Sequence, residues 1–267
     1  MNINKYNQHL QNNTFSTLFV GQNLINLLAV DSTNNFLKDL LSKSEPLPEG
    51  TVIMADDQFA GRGQQQNNWQ AEPGKNLTFS ILLKPSFLPL NRQFLLNMAI
   101  SVGVNNALKR YLPVANYIKW PNDIYYEGKK LGGILIENSI VGQNIKNSVI
   151  GIGLNVNQPI FPHDLADKAI SVHQILQQDV NLVELLAEIC SQIERLYLQL
   201  KAGNYTYLEK CYVDKLYLIN KPAAFSQNGE VFEGIIRGVT EIGLLKLEKA
   251  NRIENYNFKE IEFLNTK

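Results

Sequence analysis

Apolar residues along this chain recur with two different periods. Near its start, residues 17–20 and Leu24–Val30 form two short apolar runs around Gly21-Gln22-Asn23, which predicts two strands joined by a turn. A short amphipathic helix follows, with Phe36, Leu37, Leu40 and Leu41 on one face. Residues 51–55 and 76–83 then read as core strands, the second ended by Pro85 and Pro89. Residues 92–112 place Phe94, Leu95, Met98, Val102 and Leu108 at helical spacing. Residues 117–126 and 130–137 predict a hairpin-like pair interrupted by Pro121, and residues 148–157 a further strand. Two helices are expected over 181–201 and 205–216, the first opened by Asn181 and Glu184 in a capping-box-like arrangement. Past Ile219 the texture becomes short β-rich runs, 231–239, 244–247 and 253–258, broken by Asn228-Gly229 and Ile242-Gly243. The expected organisation is a loose tail over 1–16, a main domain over 17–218 and a small barrel over 219–267.

Composition narrows the functional classes. Hydrophobic residues make up 45% and charged residues 19%, as in an ordinary globular protein. Lys+Arg and Asp+Glu number 25 each, so no basic surface points to nucleic acid or to a membrane face. The polar first 16 residues hold no signal-peptide core, and no apolar stretch approaches the roughly 18 residues of a membrane span. Cys190 and Cys211 read as buried reduced thiols, which suits the cytoplasm. His9, His163 and His173 have no metal-ligand spacing, which argues against structural zinc.

Candidate chemistry gathers first in the polar loop at 58–70. Gly61 and Gly63 flank Arg62, a permanent cation with a planar donor fork for carboxylate or phosphate. Trp69 supplies a flat face that could cover a ring. Upstream, Asp31-Ser32-Thr33-Asn34 is a natural helix start, yet a cap would use only one side chain and leave others for a ligand. Downstream come Lys119-Trp-Pro-Asn-Asp123, then Lys130-Leu-Gly-Gly-Ile-Leu135, then Gly151-Ile-Gly-Leu-Asn155. Gly151 and Gly153 give up packing inside a strand, as happens where a ligand or another backbone comes close.

In this order and at these intervals, the five blocks resemble the biotin protein ligases, from about Thr17 to the C-terminus. The resemblance implies an α+β fold: a class II aminoacyl-tRNA synthetase-like mixed sheet flanked by helices, with a C-terminal SH3-like small β-barrel. It implies the form without an N-terminal DNA-binding domain, acting as a monomer or weak homodimer. The implied reaction makes biotinyl-AMP from biotin and ATP with Mg²⁺, then transfers biotin to a lysine of a biotin carboxyl carrier protein. Biotin would be held by Ser32, Thr33, Asn34, Gln58, Gly61, Arg62, Gly63, Gln64, Lys130, Gly132 and Gly133. ATP would meet Arg62, Trp69, Lys119, Asn122, Asp123, Lys130 and Asn155, with Asp123 and Asn155 facing magnesium and Lys130 and Arg62 catalytic. One departure stands out: the family's loop commonly carries a glycine where this chain has Gln66, which predicts a loop that closes less firmly. A lipoate or octanoate ligase of the same fold is the alternative. Its usual glycine-rich segment ending in His-Asp is missing, since His163-Asp164 lies in a proline-rich turn.

Overall fold

The structure, a computed structural model, describes residues 14–43, 46–63 and 68–264. Seven strands form one mixed sheet: β1 (Leu24–Val30), β2 (Val52–Gln58), β3 (Leu77–Leu83), β4 (Tyr117–Lys119), β5 (Asp123–Tyr126), β6 (Lys129–Val141) and β7 (Asn144–Leu154). Their order is β1-β2-β3-β7-β6-β5-β4. β1 and β2 run parallel, joined by α1 (Thr33–Ser42), and every other neighbouring pair is antiparallel.

The alternation in β2 explains the layering. Ile53 and Ala55 point to one face, where Leu37 of α1 packs with Leu27, Leu82 and Val149. Val52 and Met54 point to the other, into the main core with α2 (Phe94–Leu108) and α4 (Leu182–Lys201). β3 lies between both layers and is buried at every residue, which is why its sequence is nearly continuous in apolar character. α2 is likewise apolar almost all round, as befits a helix enclosed by the sheet and α4. Gly103 lets that contact close, since a Cβ there would stand 2.9 Å from Ile193 of α4.

Several sequence expectations change, among them strands at Pro222–Gln227 and Glu262–Phe263 that the sequence did not predict. Residues 17–20 form no strand: the backbone N–H groups of Leu18, Phe19 and Val20 all donate to the buried Glu194 carboxylate, at 2.7–3.0 Å. The helix expected over 92–112 begins as a 3-10 turn at Leu90–Arg92 and is helical only over Phe94–Leu108. The hairpin-like pair is three strands, because Pro121 separates β4 from β5 before the Glu127-Gly128 turn leads into β6. A short helix, α3 (Val172–Leu176), was not anticipated, although Ser171 and Gln174 complete a capping box at its start. α5 (Tyr205–Val213) follows α4 much as expected. Cys190 and Cys211 are both free thiols.

The C-terminal strands are β8 (Pro222–Gln227), β9 (Glu230–Val239), β10 (Leu245–Lys249), β11 (Arg252–Tyr256) and β12 (Glu262–Phe263). They make a five-stranded antiparallel sheet in the order β11-β10-β9-β8-β12. Asn228 and Gly229 both have positive φ, 52° and 85°, as the tight turn between β8 and β9 requires. Phe225, Ile236, Leu245 and Leu247 belong to the same continuous core as α2 and α4. The indole N–H of Trp120 also donates to the Gly243 carbonyl at 2.9 Å. The α+β expectation, a mixed and largely antiparallel sheet with a small β unit at its C-terminal end, therefore holds. No helix among the described residues is long and apolar enough to cross a membrane.

Candidate active site

A cavity opens where α1, residues 58–63, Trp69, β6 and β7 converge. One wall is neutral and polar. Gln58 ends β2, and its Oε1 accepts from both the N–H and the hydroxyl of Thr33, at 2.7 and 3.0 Å. The Ser80 hydroxyl lies 2.7 Å from Thr33 Oγ1 and 2.5 Å from Asn34 Oδ1. Asn34 Nδ2 donates to Glu137 Oε2 at 2.8 Å. Because a carboxylate only accepts, that bond orients the Asn34 amide with its oxygen toward Ser80. Ser32, Thr33 and Asn34 are all buried and line the cavity at the start of α1, and Ser32 makes no side-chain cap.

Glycines in β7 make room for this wall. A Cβ on Gly151 would come within 2.6 Å of Asn34 Oδ1, and one on Gly153 would overlap the Trp69 ring. Trp69 therefore lies on the β7 backbone, its indole N–H buried without a hydrogen-bond partner among the described residues. Its carbonyl in turn lies 2.5 Å from where a Gly61 Cβ would be.

The opposite end is charged. Lys130 Nζ pairs with Asp123 Oδ1 at 2.8 Å, and both line the cavity beside Gly133. A Gly133 Cβ would sit 3.2–3.3 Å from both charged groups, so the glycine keeps that pair against the strand. Arg62, also in the lining, is on the polar-wall side instead: it pairs at 2.7 Å with Glu137 Oε2, the oxygen that accepts from Asn34, and Lys38 reaches the other oxygen of Glu137 at 2.9 Å. Burial pushes the Glu137 carboxyl up, but hydrogen bonds from Lys38 and Asn34 and the Arg62 charge outweigh it and hold it below the ordinary value. Lys119 lies beside the cavity, its Nζ 3.2 Å from the Tyr125 hydroxyl. Burial and neighbouring Lys130 lower its pKa against the opposing pull of Asp123.

Ser32, Thr33, Asn34, Gln58, Arg62, Gly63, Trp69, Asp123, Lys130 and Gly133 are thus brought together around one cavity. The remaining candidates lie elsewhere. Asn122 donates to Asn97 and to the Ile134 carbonyl, and Asn155 to the Lys130 and Ile170 carbonyls, so both amides tie backbone segments together. Gly132 is packed against Leu154, and Gly61 supports the loop from behind. Gln64 and Gln66 lie outside the described residues. Sequence reasoning missed Ser80, Glu137 and Phe258, the last reaching the cavity from the turn after β11. Ser80 had a signal, a hydroxyl in the middle of an apolar strand; Phe258 had none.

The Biotin/lipoate A/B protein ligase family model matches residues 28–155. The Bifunctional ligase/repressor BirA of Bacillus spizizenii is 30% identical over 249 residues, covering 92% of this chain and 75% of its own. The Biotin--[acetyl-CoA-carboxylase] ligase of Mycobacterium tuberculosis is 25% identical over 84% of this chain and 83% of its own. Among solved structures, the biotin protein ligase from Aquifex aeolicus in complex with biotin and ATP superposes with a TM-score of 0.77. It has 26% identity and covers 92% of this chain and all of that one. Built around a cavity that pairs a polar wall with a charged Lys130–Asp123 end, and similar to these relatives over nearly its whole length, the chain belongs to the biotin protein ligases.

Proposed function

We propose that this chain activates biotin with ATP and transfers it to a lysine of a biotin carboxyl carrier protein. The observation that carries the reading is the two-ended cavity. A bicyclic ureido ring is neutral and needs short donors and acceptors, which Thr33, Asn34 and Gln58 supply; its carboxylate tail would then reach Lys130. In the first step a biotin carboxylate oxygen attacks the α-phosphorus of ATP, and the bond to the bridging oxygen breaks to release pyrophosphate. In the second the carrier amine attacks the acyl carbon, AMP leaves with the electron pair, and the amine gives up a proton.

Two anions must meet in the first step, and this chain's part is to hold them. On this reading the Lys130 ammonium, which lines the cavity, would leave its Asp123 partner to draw carboxylate and α-phosphate together. A unit charge at about 4 Å contributes roughly 4 kcal/mol at an effective dielectric near 20, most where charge develops in the transition state. Arg62 would exchange Glu137 for the phosphates, leaving Lys38 to neutralise the carboxylate. Magnesium would arrive with the nucleotide and neutralise its phosphates. Among the described residues no three acidic, cysteine or histidine groups gather to hold a metal, which fits an ion held largely by substrate. Asp123 lines the cavity and would meet that ion, and Asn155, whose Nδ2 donates to the Lys130 and Ile170 carbonyls, would offer its Oδ1. The free thiols of Cys190 and Cys211 support a reducing, cytoplasmic setting.

Biotin-dependent exchange of labelled pyrophosphate into ATP tests the reading. It should proceed with biotin and not with lipoate or octanoate; exchange supported by lipoate instead would overturn it.

A further inference from the structure

The last three strands of the large sheet carry a row of side chains that the adenylation step does not use. Tyr117 of β4 lies opposite Tyr125 of β5, and Tyr125 opposite Lys130 of β6. Cross-strand partners share a face, so two tyrosines lead directly from the cavity lysine to the sheet edge. Lys119 and Asp123, also paired across β4 and β5, lie on this face. Tyr217 completes the group from the segment after α5, its ring 5.5 Å from that of Tyr125 and 6.4 Å from that of Tyr117. Burial, then the Asp123 charge, push the Tyr125 phenol far up, so its ring stays neutral. Tyr117, the outermost, is 36% exposed.

This row already holds one alkyl-ammonium side chain. Lys119 Nζ lies 4.9 Å from the centre of the Tyr125 ring and 5.1 Å from that of Phe263. Aromatic faces suit such a group twice over: they pack the methylene stem and attract the ammonium. The row also begins beside Lys130, where on the ligase reading the acyl carbon would lie, and ends at the part-exposed Tyr117.

We propose that Tyr117, Tyr125 and Tyr217 form the track on which the carrier's acceptor lysine docks, its stem lying on the rings and its amine directed toward Lys130. The proposal rests on the ligase reading and names the carrier-facing part of the same site. Tyr117 and Tyr217 serve only the second half-reaction. Removing their rings weakens carrier docking and leaves adenylate formation intact.

Three assays on the full-length protein separate the possibilities: biotin-dependent pyrophosphate exchange, capture of the preformed adenylate by hydroxylamine, and transfer to an unbiotinylated carboxyl carrier domain. In Tyr117→Ser/Tyr217→Ser, the KM for the carrier domain should rise about five- to twentyfold, the scale of losing two aromatic contacts. Exchange and hydroxylamine capture should stay within about twofold of the parent, and Tyr117→Phe, which keeps the ring, should behave like the parent. An unchanged carrier KM overturns the track. A matching fall in exchange or hydroxylamine capture also overturns it, by assigning the rings a structural role. A changed mass by light scattering would give the surface to a second copy of the chain instead. Absence of biotin-dependent exchange in the parent protein is the separate result that removes the ligase reading itself.

Discussion

At the scale of single residues, the site depends on what is small as much as on what is charged. Gly151 leaves the space that the Asn34 amide occupies, 2.6 Å from where a Cβ would be. Gly151→Ala should therefore push Asn34 off Ser80 and Glu137, raising the KM for biotin about tenfold, or about 1.4 kcal/mol. Steady-state kinetics at saturating ATP would show it, and an unchanged KM would mean that Asn34 adapts. Lys130→Ala should slow pyrophosphate exchange by about 10²–10³, the scale of losing one preorganised charge-stabilising group, with little change in thermal unfolding. A near-normal exchange rate would remove Lys130 from its role. Lys130, Arg62 and the Ser32–Asn34 block could be read from the sequence because ordered motifs surround them. Asn122 and Asn155 sit in the same motifs, yet their amides bind carbonyls. Motif spacing does not show which atoms of an amide the fold itself engages, here the Nδ2 groups of Asn122 and Asn155.

Among elements, period-two and helical patterning located most strands and helices, because each has one face turned to a core. Residues 17–20 misled that reading. Their apolar side chains resemble a strand, but the hydrogen-bond partner of their backbone is a carboxylate 174–176 residues away. Such a long-range acceptor leaves no local signature. Glu194→Ala should cost about 2–4 kcal/mol in urea unfolding, since a charged acceptor is lost and several N–H groups are left unpaired; a loss under about 0.5 kcal/mol would mean that water replaces the carboxylate. Glu137 joins α1, β6 and the Arg62 loop in a similar way. Its folded pKa lies below the ordinary 4.5, so its contribution to stability is present above that pH and is lost on acidification through the lower folded value. Glu137→Gln should flatten this acid limb and leave the alkaline limb unchanged. Parallel curves for the two proteins would show that Glu137 is not coupled to folding.

Across the whole molecule, the two sheets share one hydrophobic core and meet at Trp120, whose N–H reaches Gly243 and whose ring packs edge-on against Phe258. The texture change after Ile219 made a second β unit legible, but its attachment was not, because the contact depends on a backbone carbonyl and on the placement of a turn. Trp120→Phe removes the donor and should destabilise by about 1–2 kcal/mol. Far-ultraviolet and near-ultraviolet circular dichroism should still melt in one coincident transition. Two separated transitions would mean that the sheets fold independently.

Phe258 gives this arrangement a temporal meaning. The residue lines the cavity but is translated after all seven strands of the large sheet. A nascent chain halted before it has the cationic end and the polar wall, yet the cavity still lacks a side. Synthesis thus runs ahead of competence, because the side chain that closes the cavity is made only with the last strands.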